Sequence, residues 1–158
     1  MEQDSFLEVA EKVVVYQLRS KWLAISKMYN EMAAAQDGTM SMAFILLTIN
    51  DKEGTPVTKI APRMGMEPNS LSRILLSMEK KGLIYRKKVK QDKRKVYMCL
   101  TDYGLSMRKN SLKAVFTLES ALHETIAPEK MEAFFEVMEK IPSAMDLFKE
   151  RFEDLGEI

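Results

Sequence analysis

Apolar residues recur at steps of three and four positions along most of this chain, which is the spacing of amphipathic α-helices. Glycine and proline, which interrupt helices, number only 6 and 5, whereas methionine, a good helix former, occurs 13 times. This composition argues against an all-β sandwich. With 158 residues the chain has the length of one ordinary domain, enough to enclose a hydrophobic core.

The first periodic segment covers residues 6–32 and predicts one long helix, with Asp4 or Ser5 as its N-cap. We expect Ser41 to cap a short and very apolar second helix over residues 43–49. Since this segment has almost no polar face, it should be buried on most sides.

The middle of the chain predicts two helices joined by a tight turn. Residues 57–64 form the first, although Pro62 lies in its interior, and residues 65–68 form the turn. Residues 69–81 form the second helix, and Gly82 follows as a C-cap. Its expected core face consists of Leu71, Ile74, Leu75 and Met78.

A β-hairpin should follow, because residues 83–88 and 96–100 are short, partly alternating runs with β-branched and aromatic side chains. The strongly polar residues 89–95 between them predict a long basic tip. Thr101 is a suitable N-cap for a further helix that extends to Ile126.

The last predicted helix opens with Pro128 at its first position and carries a heptad seam. Pro142 should kink it, yet the apolar spacing continues past this residue. Two interpretations remain: ordinary core packing, or pairing with a second copy of the chain. The seam consists of Met131, Phe134, Met138, Ile141, Met145, Phe148, Phe152 and Leu155.

The net charge of +1 conceals a strong asymmetry along the chain. Residues 80–113 contain twelve basic and two acidic side chains, whereas residues 114–158 contain four basic and eleven acidic ones. A charge run is usually a solvated face, but one this one-sided favours a polyanion, because each neutralised phosphate releases counterions. Nucleic acid is the partner that this distribution predicts.

The second helix of the predicted pair is suited to a DNA groove. Asn69, Ser72, Arg73, Leu76 and Lys80 project from the side opposite its core. Asparagine pairs with adenine, arginine with guanine, and serine with bases or phosphates. The candidate DNA-binding residues of this helix are Asn69, Ser70, Ser72 and Arg73.

Four short motifs in this region resemble the multiple antibiotic resistance regulator (MarR) family of winged-helix transcription factors. They are Lys59-Ile60-Ala61, the segment Ser77-Met78-Glu79-Lys80-Lys81-Gly82-Leu83-Ile84 with Arg86, Asp92-Lys93-Arg94, and Leu100-Thr101-Asp102-Tyr103-Gly104. The resemblance covers about a third of the chain and implies a homodimer built by the terminal helices. It also implies that Asp92 orients Arg94 into a minor groove, while Lys93 and Lys95 contact phosphates. With Lys90, these residues form the candidate DNA-binding wing.

Other chemistry has little support in the sequence. Cys99 is expected to be a buried thiol, His123 a surface or packing residue, and Glu132, Glu136 and Glu139 a solvated face. No cofactor motif, catalytic constellation or metal-ligand cluster points to an enzyme. The methionines fill cores by default, and the alternative is a plastic pocket for a small apolar or aromatic effector of the kind that many family members sense.

We therefore expect a mainly α-helical protein with a small β-hairpin wing. Residues 55–104 form the winged helix-turn-helix lobe, and residues 1–36 and 105–158 a helical dimerisation region. The expected function is sequence-specific binding of double-stranded DNA as a homodimeric, cytoplasmic, non-membrane transcriptional repressor. The alternative is a winged-helix module for RNA or protein without sequence-specific DNA readout.

Overall fold

The computed structural model describes residue 6 and residues 9–89 and 92–154. The chain divides into two compact units, Met1–Leu112 and Lys113–Ile158. The helices are α1 (Val14–Ala34), α2 (Met40–Thr48), α3 (Val57–Met64), α4 (Pro68–Lys80), α5 (Asp102–Thr125) and α6 (Pro128–Asp154). The strands are β1 (Thr55–Pro56), β2 (Ile84–Val89) and β3 (Asp92–Leu100). The structure is mainly helical with a small antiparallel sheet, which confirms the predicted fold class.

The prediction of one helix over residues 6–32 is wrong near its start. Residues 11–12 form a turn and Val13 is extended, with φ −89° and ψ 119°, so α1 begins at Val14. Val13, the residue before the helix, is β-branched, and such side chains favour the extended conformation that it adopts. The expected N-caps lie outside the described residues: Asp4 and Ser5.

The cap of α2 is Thr39, and the prediction of Ser41 is wrong. The Thr39 hydroxyl oxygen accepts the Met42 backbone N–H at 3.2 Å, so the helix starts at Met40, three residues before the predicted segment. The predicted burial is confirmed, since every residue from 40 to 49 is buried or half-buried.

One hydrophobic core joins α2, α3 and α4 to the sheet. Each fully buried aliphatic or methionine side chain in it contributes about 1.5–3 kcal/mol relative to exposure. Its buried members are Ile45, Leu46, Ile49, Ile60, Ala61, Leu71, Leu75, Met78, Leu83, Ile84, Met98 and Leu100. The helix-turn-helix and the hairpin are therefore parts of a single packed body.

The predicted helix pair is confirmed with small changes at its ends. Helix α3 has the predicted bounds and continues through Pro62, whose missing N–H leaves out the helical bond to the Thr58 carbonyl. Helix α4 starts one residue earlier than predicted, with Pro68 at its first position, where proline is favoured.

The C-terminus of α4 is a Schellman motif. The Gly82 N–H donates to the Glu79 carbonyl at 3.0 Å, and the Leu83 N–H donates to the Met78 carbonyl at 3.0 Å. Gly82 has a φ of +69°, a conformation that glycine adopts without a steric penalty. This motif turns the chain from α4 directly into β2.

The sheet contains a third strand, β1, that the sequence analysis treated only as a helix breaker. The strand order is β1-β3-β2, with Thr55 opposite Met98 and Pro56 opposite Tyr97. Proline is tolerated there because β1 is an edge strand. The buried Thr55 hydroxyl accepts the Asn50 N–H at 2.9 Å, which fixes the loop before the strand.

The hairpin is confirmed, but β2 is shifted by one residue from the predicted run and β3 begins four residues earlier than predicted. Residue 89 and residues 92–95, expected in the tip, belong to β2 and β3. The register runs from Ile84 opposite Leu100 to Lys88 opposite Val96, and it shifts before Val89, which pairs with Asp92. Residues 92–95 were not predicted as strand because they are mostly charged and lack the apolar alternation of a half-buried strand.

Thr101 caps α5 as predicted. Its hydroxyl oxygen accepts the Gly104 N–H at 2.9 Å, and its own N–H donates to the Leu83 carbonyl at 3.1 Å. Gly104 is buried at this crossing, and a Cβ atom there would lie 1.9 Å from the Leu83 carbonyl oxygen. Only glycine fits such a close approach of two backbones.

The second unit contains the end of α5 and all of α6. Pro128 opens α6 as predicted, and the helix continues past Pro142. Four seam residues are exposed in the single chain, and pairing of this seam with a second copy stays a prediction. These are Phe134 (48%), Met138 (38%), Met145 (54%) and Phe148 (60%), while Leu155 lies outside the described residues. Among the described residues, no helix is long and apolar enough to cross a bilayer.

Candidate nucleic-acid interface

Helix α4 is held to the core by one face and presents the other to solvent. Leu71, Leu75 and Met78 are buried, and Ile74 packs against them. Because an α-helix turns about 100° per residue, residues four and seven positions apart share a face. The opposite side therefore forms one continuous exposed surface.

All four predicted DNA-binding residues of α4 are exposed. Asn69 and Arg73 lie four positions apart on the exposed face, with Ser70 and Ser72 beside them. The same face continues through Leu76, which is 51% exposed, to Lys80 near the end of the helix. Amide, hydroxyl, guanidinium and ammonium groups are thus arrayed along about 16 Å of helix.

The Ser72 hydroxyl has a partner within its own helix. It donates to the Pro68 carbonyl oxygen at 2.9 Å. A serine hydroxyl has one hydrogen to donate and two lone pairs to accept with. In this rotamer the Ser72 hydroxyl can only accept a hydrogen bond from a ligand. To donate to a phosphate, the hydroxyl has to rotate away from the Pro68 carbonyl.

The predicted wing residues lie at the start of β3 and in the turn before it. Asp92, Lys93 and Arg94 are in the strand, but the structure does not describe their side chains, and Lys90 lies outside the described residues. Lys95 is exposed. The proposed contact of Asp92 with Arg94 therefore stays a prediction.

Further cations extend the basic surface along the hairpin. Lys87 and Lys88 in β2 are exposed, as is Lys95 in β3. Because successive side chains of a strand point to opposite faces, Lys87 and Lys88 place positive charge on both faces of the hairpin. The charge asymmetry of the sequence is thus concentrated on the hairpin next to α4.

Arg86 ties the hairpin to α4, a role that the sequence analysis did not assign. Its Nε donates to both carboxylate oxygens of Glu79, at 2.9 and 3.1 Å. Glu79 is in the last turn of α4 and Arg86 is in β2. A charge-assisted contact between the two elements restricts how far the hairpin moves relative to the helix. The sequence contained one signal for this ion pair: Glu79 and Arg86 have opposite charges and lie seven residues apart, on either side of the predicted turn at Gly82.

Lys81 forms a second connection, from the end of α4 to the turn between α1 and α2. Its ammonium group donates to the Asp37 carboxylate and, at 2.8 Å, to the Asp37 carbonyl oxygen. Asp37 has a φ of 53°, in the left-handed region that aspartate tolerates better than most residues. The neighbouring Gln36 side chain accepts from Asn110 in α5 at 3.2 Å. This turn therefore contacts both α4 and α5.

The lone cysteine and histidine lie where the sequence predicted. Cys99 is buried in β3 opposite Tyr85, and its proximity raises the pKa of the Tyr85 hydroxyl above the ordinary value. His123 is exposed and contacts the Glu119 carboxylate at 3.1 Å. Over the described part of the chain, His, Cys, Asp and Glu side chains form no group that could hold a metal ion.

The succession of α3, α4 and the β2–β3 hairpin, with β1 at the sheet edge, defines the winged-helix class. The model of the MarR family matches residues 39–96. This region contains α2, α3, α4 and most of the sheet, and it is similar to the MarR family, which is also the family that the sequence motifs resemble.

Several characterised proteins are similar to this chain. The HTH-type transcriptional regulator SarZ of Staphylococcus haemolyticus is 26% identical over 91 residues, which are 58% of this chain and 61% of that protein. The chain thus spans less than two thirds of this curated relative.

Solved structures match over a larger share of the fold. The MepR–DNA complex of S. aureus has a TM-score of 0.77 and 21% identity, covering 84% of this chain and 98% of that chain. The transcriptional repressor CouR, bound to a 23-mer DNA duplex, has a TM-score of 0.73 and 23% identity, covering 85% and 95%.

Proposed function

We propose that this protein is a sequence-specific DNA-binding transcriptional regulator that acts in the cytoplasm as a homodimer. Helix α4 enters the major groove and reads base edges, and the hairpin wing contacts the flanking minor groove and backbone. The observation that carries this proposal is the exposed polar face of α4, with Asn69 and Arg73 in line beside a basic hairpin.

The base-reading part of the proposal rests on donor and acceptor geometry. The Arg73 guanidinium has two parallel donors that match O6 and N7 of guanine, and the Asn69 amide matches N6 and N7 of adenine. Because α4 is packed on the core by its opposite face, these side chains are presented on a rigid element. Ser70 and Ser72 flank them and are suited to phosphate or base contacts.

The wing contributes affinity and reads groove shape. We propose that Arg94 enters a narrow minor groove, where negative potential is concentrated, and that Asp92 orients its guanidinium. Lys90, Lys93 and Lys95 contact phosphates in this scheme. Such contacts position the protein on any duplex and make the binding salt-dependent.

We propose that residues 55–104 form the DNA-binding lobe and that residues 1–36 and 105–158 form the dimer. A two-fold dimer presents two copies of α4, so its operator is a pseudo-palindrome with half-sites about one helical turn apart. CouR, whose fold is similar, is a repressor, and we propose that this chain also represses by occupying its operator. A small apolar or aromatic effector would release it.

Substitutions in the two parts of the interface should have different effects. Arg73→Ala lowers the discrimination between operator and scrambled duplex by about 1–3 kcal/mol, because it removes a base contact. Lys93→Ala weakens binding to all duplexes alike and flattens the salt dependence, because it removes a phosphate contact. The measurement is fluorescence-anisotropy titration of both duplexes over a range of salt concentrations, using an operator selected from a random library.

A third variant tests the minor-groove role. Arg94→Ala should weaken binding most where the operator flank is A·T-rich. Equal losses of Arg73→Ala on operator and scrambled DNA would contradict base reading by α4. If all three variants behaved alike, the wing would be an electrostatic anchor, and the module would serve RNA or protein instead.

A further inference from the structure

Leu76 is an exposed apolar side chain in the middle of the polar face of α4. It is 51% exposed, and it lies between Arg73 and Lys80 on the face opposite the buried Leu71 and Met78. The core of this lobe is complete without it. None of the base or phosphate contacts proposed above involves this residue.

Single exposed leucines are common on protein surfaces, so exposure alone has no functional meaning. The position of Leu76 is the informative feature. It follows Asn69 by seven residues and Arg73 by three, and both spacings place it on the same face as those two side chains. Any duplex base that α4 reads beyond Arg73 would face Leu76.

The spacing along the helix gives the expected position in the operator. Leu76 lies about 4.5 Å beyond Arg73 and about 10.5 Å beyond Asn69 along the helix axis. Base pairs stack about 3.4 Å apart. With α4 lying along the groove as proposed, Leu76 falls about one or two base-pair steps from the base that Arg73 reads, on the side away from Asn69.

We propose that Leu76 contacts the 5-methyl group of a thymine in the major groove and determines specificity at that position of each half-site. The thymine methyl is the largest apolar group on the base edges of this groove, which otherwise present mainly donors and acceptors. A leucine against those polar groups would desolvate them without a hydrogen bond, which is unfavourable. This inference rests on the proposed function, because it requires α4 to lie in the groove.

The test is a thymine-to-uracil scan of the selected operator, since deoxyuridine keeps every hydrogen-bonding group and lacks only the methyl group. Wild-type protein should bind about fourfold more weakly when one particular thymine in a half-site is replaced, as expected for the burial of one methyl group. Leu76→Ala should bind the normal operator more weakly and be indifferent to that replacement. Arg73→Ala is the control, because it weakens binding through another contact and should keep the sensitivity to uracil.

Two results would overturn the proposal. One is wild-type binding that no thymine-to-uracil replacement changes, and the other is a Leu76→Ala variant that keeps the full sensitivity. If Leu76→Ala kept the sensitivity to uracil but fewer chains bound to each duplex, Leu76 would instead contact another copy of the protein. A failure of the proposed function itself is distinguishable, because the library would then yield no shared half-site to scan.

Discussion

Gly104 lies in one of the motifs that resemble the MarR family, and the structure shows why glycine is required at this position. Its backbone crosses that of Leu83 so closely that a Cβ atom would overlap the Leu83 carbonyl. Thr101 completes the crossing, since its hydroxyl accepts the Gly104 N–H at 2.9 Å and donates to the Gly82 carbonyl at 2.5 Å, with the Leu83 carbonyl at 3.2 Å. One threonine and one glycine thus join α5 to the start of the hairpin.

We expect Gly104→Ala to lower the free energy of unfolding by roughly 3 kcal/mol, because neither backbone segment yields easily. Gly82→Ala is the control. No other atom lies within 4 Å of its Cβ position, so only the φ of +69° is unfavourable, which costs about 1–2 kcal/mol. Urea unfolding at a fixed protein concentration measures both. Equal losses in the two variants would contradict a steric origin at Gly104.

At the scale of elements, helices with strong local signals were predictable, whereas a strand that depends on a distant partner was not. The bounds of α4 were predicted within one residue at each end, because its apolar spacing and its glycine stop are strong local signals. Strand β1 was missed because two residues, one of them proline, have no periodicity. It exists only because β3 offers a free edge for pairing.

Contacts between elements account for the other features that the sequence did not predict. The exposed face of α4 follows from helical spacing, so Asn69 and Arg73 were found from the sequence. The ion pair of Lys81 with Asp37 joins residues 44 positions apart and depends on how α4 meets the turn after α1. No local pattern in the sequence encodes such a meeting.

Two adjacent lysines at the end of α4 should therefore differ in function. Lys80 continues the exposed face with Arg73, whereas the ammonium group of Lys81 is directed to Asp37. Lys80→Gln should weaken binding to all duplexes and reduce the slope of log affinity against log salt by about 0.9. Lys81→Gln should leave the slope unchanged, and its ion pair should contribute less than about 1 kcal/mol to stability, because Asp37 is exposed. Equal changes of slope would contradict this division.

At the scale of the whole molecule, the exposed apolar surface of α6 is the feature that a single chain leaves unexplained. Met145 and Phe148 lie on the heptad seam and are more than half exposed, while Leu147 is 45% exposed off the seam. A soluble monomer rarely keeps a contiguous apolar stripe of this kind in water. A second copy of the chain covers it in the proposed dimer.

Met145→Glu should dissociate the dimer at micromolar concentrations, because it places a carboxylate in the apolar seam. Leu147→Glu introduces the same group on the same helix, two residues away, and should leave the dimer intact. Sedimentation equilibrium gives the mass of each variant. If Leu147→Glu dissociated the protein as readily as Met145→Glu, the seam would not be the interface.

The most direct test of the central claim is selection of bound fragments from a random duplex library at about 0.15 M salt, a range in which salt-dependent phosphate contacts weaken and base contacts discriminate. The mass of the complex is measured alongside. We predict recovery of an inverted repeat bound by two copies of the chain, with half-sites about one helical turn apart. Recovery of unrelated fragments that all dissociate at slightly higher salt would contradict sequence-specific readout by α4.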